Sequence, residues 1–156
     1  MNITLYQPDI PQNAGAVFRL AACLGASVDI IEPCGFILND ARLRRVMMDY
    51  APKAAIKRYD CWDSWVANKL PGRILLLTTS GDTPYSSFGF HKSDALLLGR
   101  ESAGVPAEIH RAVDARLFIP MVEDARSLNV VTAAAMVIGE ALRQTGEFNA
   151  MGINDQ

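Results

Sequence analysis

The chain has 156 residues, enough for one domain with a full hydrophobic core and too few for two substantial ones. Half of its residues are hydrophobic and 21% are charged, which is the balance of a folded globular protein and excludes a disordered or fibrous one. Fifteen Lys and Arg against 17 Asp and Glu leave a formal charge of −2, which argues against indiscriminate coating of nucleic acid.

Near the start, "NITLY" is short, β-rich and stopped by Pro8, which predicts a strand over about 2–7. Asn13 reads as the N-cap of a helix whose apolar set is Val17, Leu20, Ala21 and Leu24 and which Gly25 closes. "SVDIIEP" predicts a second strand, "DARLRRVMMDY" a helix capped by Asp40, residues 53–59 a short strand, and "DCWDSWVANKL" a helix capped by Asp60. "RILLLTTS" and "DALLLGR" are continuous apolar runs, the pattern of strands buried on both faces of a parallel sheet. "PAEIHRAV" predicts a short helix with Pro106 at its first position. "ARLFIPM" predicts a further buried strand, and the last helix runs from about 128 to 145, before Gly146. Alternation of this kind predicts an α/β domain over residues 1–156, an open, mostly parallel sheet with helices on both faces.

Other classes fall away on the same evidence. No apolar run reaches the roughly 18 to 20 residues that span a bilayer. "MNITLYQPDIP" lacks the basic start and long apolar stretch of a secretion signal, so a cytoplasmic protein is expected. Cys23, Cys34 and Cys61 are odd in number and lack ligand spacing, so neither a disulfide framework nor a metal site is expected, and they read as small buried hydrophobes. Charge is unevenly placed: residues 40–75 carry eight Lys or Arg against four Asp, net +4, and the remainder is net −6. Taken alone, that segment suits a solvated helix face as well as a surface that holds a polyanion.

In open α/β sheets ligands lie beyond the carboxyl ends of the strands, so the segments of interest are the strand exits "PQNAGAVFR", "TTSGDT", "GRESAGVP" and "IPMVEDARSLN". "GRESAG" is not the G-x-G-x-x-G of dinucleotide binders, and no G-K-[ST] marks a phosphate loop. His91 and His110 have no serine or cysteine in a nucleophile elbow beside them, which leaves a triad hydrolase without support. Ser127 and Asn129 stand where a polar loop turns into the longest helix, and by themselves they read as its N-cap.

In this order, "PQNAGAVFR", "LLGRESAGVP" and "IPMVEDARSLNVVTAAAMV" resemble the three motifs of the SPOUT superfamily of S-adenosylmethionine-dependent RNA methyltransferases. The similarity extends through "IIEPCGF", "DARLRRVMMDY" and "LLLTTSGDTP", and it is greatest to the small tRNA 2′-O-methyltransferases of the SpoU branch that modify the wobble cytidine or uridine, position 34, of leucine tRNAs. Ala14 and Ala16 stand where the family commonly has polar residues.

The resemblance implies a C-terminal trefoil knot that binds S-adenosylmethionine, a homodimer with helices near both termini packed across the interface, and tRNA as partner. It implies a cofactor pocket made by Leu77, Thr78, Gly99, Glu101, Gly104, Ile119, Met121, Ser127 and Leu128, and catalytic roles for Arg19, Ser127 and Asn129. Arg42, Arg44, Arg45, Lys57 and Arg126 are the expected tRNA contacts. A protonated guanidinium has no acceptor, so Arg19 is expected to bind the neighbouring phosphate and polarise the 2′-hydroxyl. Two rivals remain: a SPOUT 2′-O-methyltransferase acting on rRNA or another tRNA position, and a dimeric RNA-binding protein that kept the fold without the chemistry.

Overall fold

The computed structural model describes residues 1–37 and 55–150. The predicted helix over 40–50, with Arg42, Arg44 and Arg45, lies outside them. Among the described residues seven strands form one sheet: β1 (Asn2–Tyr6), β2 (Ser27–Ile31), β3 (Ile56–Tyr59), β4 (Ile74–Leu77), β5 (Thr83–Pro84), β6 (Ala95–Leu98) and β7 (Ala115–Phe118). Their order is β3-β2-β1-β6-β4-β7-β5, and every pairing is parallel. The helices are α1 (Pro11–Cys23), α2 (Trp62–Asn68), α3 (Ala107–Ala112), α4 (Val130–Thr145) and α5 (Glu147–Ala150). None of the helices among the described residues is long and apolar enough to cross a membrane.

The apolar runs are buried on both faces because successive residues alternate sides. Ile3, Leu5, Leu75, Leu96, Leu98 and Leu117 point to the face covered by α1 and α4, whose Val17, Phe18, Val137 and Ile138 complete that core. Tyr6, Ile31, Ile74, Leu76 and Leu97 point to the other face, against Trp65 of α2 and Ile109 of α3. Each fully buried Leu or Ile contributes about 1.5–3 kcal/mol, so these two layers supply most of the drive to fold. Asp29 enters the second layer only as the acceptor for the Trp65 indole, Nε1 to Oδ2 at 2.9 Å, which satisfies both buried groups.

The predicted caps divide. Asn129 caps α4, its Oδ1 accepting from the Val131 N–H at 2.8 Å, and Gly146 ends the helix at φ 70°, in the left-handed region. Asn13 does not cap α1. The helix begins two residues earlier at Pro11, whose fixed φ and missing N–H suit a first turn, and Ile10 holds the cap position without a side-chain bond. Asp60 does not cap α2 either: Cys61 holds that position, again without a side-chain bond. Pro106 stands one residue before α3.

Cys23 and Cys61 are exposed and Cys34 is half-buried, contrary to the expectation of three core thiols. Two of them sit at helix ends, where the chain meets solvent. Burial of Cys34 and the nearby Glu32 charge push its thiol up to about 11. In β7 only Leu117 is buried, because the strand has just the two-residue β5 on its outer side.

Candidate functional site

The chain runs from β1 outward through β2 to β3, then crosses to β4 on the far side of β6. The order therefore reverses at β1 and β6, and a crevice is expected at the carboxyl ends there. An open cleft of about 250 Å³ lies beside that point, walled by the exits of β4, β6 and β7 and by the first turn of α4. Leu77, Leu98, Ile119 and Val130 are among its apolar residues, and Thr78, Arg100, Glu101, His110 and Ser127 among its polar ones.

The loop after β6 closes on itself. The Arg100 N–H donates to the Gly104 carbonyl at 3.0 Å and the Gly104 N–H returns to the Arg100 carbonyl at 2.8 Å. Gly104 makes the turn at φ 65°. A Cβ on Gly99 would stand 2.7 Å from the Gly104 carbonyl carbon, so the tight ring needs glycine at both ends.

Polar side chains join this ring to the loop after β1 and to α4. Glu101 accepts the Asp9 N–H on Oε2 at 2.9 Å and the Asn13 amide on Oε1 at 3.1 Å. Asn13 in turn accepts from the Asn129 amide at 3.2 Å, and Asn129 caps α4. Asp9 takes Arg100 Nε on Oδ1 at 2.9 Å, and on Oδ2 both the Ser102 N–H at 3.1 Å and the Ser102 hydroxyl. Burial pushes the Asp9 carboxyl up, but the bonds from Ser102 and Arg100 outweigh it and leave the group below its ordinary value. It is a carboxylate throughout the neutral range.

The nine expected pocket residues come together. Leu77 and Thr78 follow β4, Gly99, Glu101 and Gly104 form the ring, Ile119 and Met121 follow β7, and Ser127 and Leu128 precede α4; all line the cleft. Asn129 is one residue beyond them, turned to its cap and to Asn13. Arg19 is not among the cleft's lining; it is exposed on α1, roughly 120° around the helix from Asn13 at 100° per residue. Arg126 is exposed in the β7–α4 loop. Lys57 is exposed on β3, three strands from β6 and so roughly 14 Å across the sheet.

Sequence reasoning missed Asp9, Asn13, Arg100 and His110. Arg100 and His110 line the cleft, and Asp9 and Asn13 brace it. The available signal was "PDIPQN", a polar run directly after a strand, which the reading of Asn13 as a cap absorbed.

Comparison with known proteins places this geometry in context. The model of the SpoU rRNA methylase family matches residues 1–139. A tRNA (cytidine(34)-2′-O)-methyltransferase of Ancylobacter novellus is 49% identical over 154 residues, covering 96% of each chain. The Escherichia coli K12 enzyme of the same name is 40% identical over 148 residues, covering 94% of each. A solved structure concerned with 2′-OH methylation of C/U34 on tRNA superposes with a TM-score of 0.87 at 37% identity, over 92% of this chain and 94% of that one. The SpoU methyltransferase AviRb of Streptomyces viridochromogenes, solved with its cofactor AdoMet, gives 0.83 at 26% identity over 92% of this chain and 60% of that one.

Proposed function

This chain belongs to the SpoU methylase family, and from that premise we propose that it is a tRNA 2′-O-methyltransferase, transferring the methyl group of S-adenosylmethionine to the ribose of the cytidine or uridine at position 34. Leucine tRNAs are the substrates we assign to it, in the cytoplasm where tRNA is processed. The observation that carries the reading is convergence: three chain segments, over 77–78, 99–104 and 119–128, deliver the nine expected residues to one cleft beside the switch point of the sheet.

The cleft suits a nucleoside-bearing donor. Leu77, Leu98, Ile119, Leu128 and Val130 offer apolar surface for an adenine and its ribose, and the polar residues Thr78, Glu101 and Ser127 of the same lining fix their orientation. When bound, S-adenosylmethionine supplies an electron-poor methyl on sulfonium, which an oxygen nucleophile can take directly. The acceptor hydroxyl is a poor nucleophile at neutral pH, so the protein's task is to hold it in line and ease the loss of its proton. Ser127, which lines the cleft, and Asn129, one residue beyond the lining, orient the ribose; Arg19 binds the adjoining phosphate and polarises the hydroxyl, whose proton leaves to phosphate or water. Arg42, Arg44, Arg45, Lys57 and Arg126 hold the rest of the tRNA by its phosphates.

We further infer that residues 1–156 are a single domain, that its C-terminal part is threaded as a trefoil knot, and that two copies pair through helices near both termini. Pairing gives α1 a route to an acceptor held at the neighbouring protomer's cleft, which fits the absence of Arg19 from the lining of its own.

The test is to incubate unmethylated tRNA and, separately, rRNA with protein and isotopically labelled S-adenosylmethionine, then map methylated nucleosides by mass. The expected product is a single 2′-O-methyl nucleotide at position 34 of leucine tRNAs. Label confined to rRNA, or absent from every ribose, overturns the assignment.

A further inference from the structure

We propose that Asp9 is a positioning residue of the donor pocket: it clasps the Gly99–Gly104 ring to the loop after β1, and so sets the affinity for the methyl donor. This rests on the cleft being the S-adenosylmethionine site.

Backbone pairing between β1 and β6 runs from Asn2 with Ala95 to Leu5 with Leu98. Beyond Leu98 the ladder no longer controls the chain, and the ring must be held by side chains. Asp9 takes up that task with its carboxylate and its N–H. Its carboxylate receives Arg100 and both donors of Ser102, and its N–H goes to Glu101, so three consecutive ring residues are tied to one residue of the opposing loop. Gln7 adds a weaker contact, accepting from Arg100 at 3.4 Å.

The clasp then extends in one direction, toward the cleft. Glu101 is held by Asp9 on one oxygen and holds Asn13 with the other, and Asn13 meets Asn129 at the start of α4. Asp9 is therefore one end of a hydrogen-bonded line that fixes two cleft walls, the ring and the first turn of α4, against each other. Charge-assisted bonds of this type are about twice as strong as neutral ones; the bonds to Arg100 and Glu101 are half-buried and so less screened than the two exposed ones to Ser102. The side chain does not line the donor pocket itself: Asp9 is not among the cleft's lining. The hydrophobic layers do not include it. A change at Asp9 should leave the core alone and loosen the pocket.

The experiment uses the full chain in Asp9→Asn, Asp9→Ala and Arg100→Met forms, with the double variant Asp9→Asn/Arg100→Met. Calorimetry measures binding of S-adenosylhomocysteine, thermal unfolding without ligand measures the fold, and steady-state assays separate the KM for donor from kcat. With Asp9→Ala we expect affinity to fall about tenfold or more, and with Asp9→Asn by a smaller factor, since the amide keeps one acceptor. The unliganded unfolding temperature should stay near wild type, KM for donor should rise with little change in kcat, and the double variant should be no worse than the weaker single one. Unchanged affinity in folded Asp9→Ala and Asp9→Asn overturns the proposal, as does a loss of affinity in Asp9→Asn matched by a clearly lowered unfolding temperature. Failure of the wild-type protein to bind S-adenosylhomocysteine overturns the functional reading itself, which keeps the two distinct.

Discussion

Arg19 carries the sharpest question at the level of single residues. It lies outside the lining of the cleft, exposed on α1, yet the mechanism we propose asks it to meet the acceptor's phosphate and hydroxyl. A planar guanidinium can hold both at once through its fixed fork of donors, whereas an ammonium is a point charge. Replacing Arg19 by Lys keeps the charge and removes the fork, so we expect kcat to fall by about a hundredfold or more while S-adenosylhomocysteine affinity, read by calorimetry, stays within about twofold because the donor's walls are untouched. Near-normal turnover with lysine would show that charge alone suffices. The contrast with Asp9 is instructive, since there binding should change and kcat should not. Seven of the nine expected cleft residues lie in the second and third motifs, Leu77 and Thr78 lie in "LLLTTSGDTP", and all nine line the cleft. Asp9 and Arg100 were not readable in the chain, since an ion pair between positions 91 apart leaves no local pattern.

The element that joins fold to site is α4. Its periodic apolar face and its ends were legible: Asn129 and Gly146 are chemically suited to a cap and to a left-handed stop, and both take those positions. The start of α1 was misread for an equally local reason. Asparagine is a favoured cap, but Pro11 can open a helix without needing one, and that shift released the Asn13 amide to bridge Glu101 and Asn129. Asn129 thus has two jobs, and they separate by substitution. Asn129→Ala should cost about 1 kcal/mol in urea unfolding by loss of the cap. Asn129→Asp retains a capping oxygen, favourably charged at a helix N-terminus, so stability should match wild type. It has no donor for the Asn13 oxygen and sets a charge against it, so methyl transfer should still fall, by about tenfold. Activity unharmed in Asn129→Asp would reduce Asn129 to a cap.

On the scale of the whole molecule, the sheet is held by two apolar layers, while the cleft walls lie past the ends of the strands they follow. Alternating elements and doubly apolar runs made the layered sheet predictable, because burial on both faces leaves a mark on every residue of a strand. Strand order left no such mark: nothing local says that β6 comes to lie between β1 and β4, and that placement creates the switch point. A ligand seated in the cleft beside it meets the exits of β4, β6 and β7 and the first turn of α4 at once, so its binding must oppose global unfolding. Mass action gives the size: at a hundredfold excess over its Kd, a ligand that binds only the folded chain adds about 2.7 kcal/mol. For a domain of this length each kcal/mol moves the midpoint by roughly 2–4 °C, so S-adenosylhomocysteine should raise Tm by roughly 5–10 °C. ATP and NAD at the same concentration should leave it unmoved, because the chain lacks the glycine fingerprints that cradle their phosphates. An equal rise with all three would mean that the cleft reads adenosine alone, and no rise with any would take the methyl donor out of it.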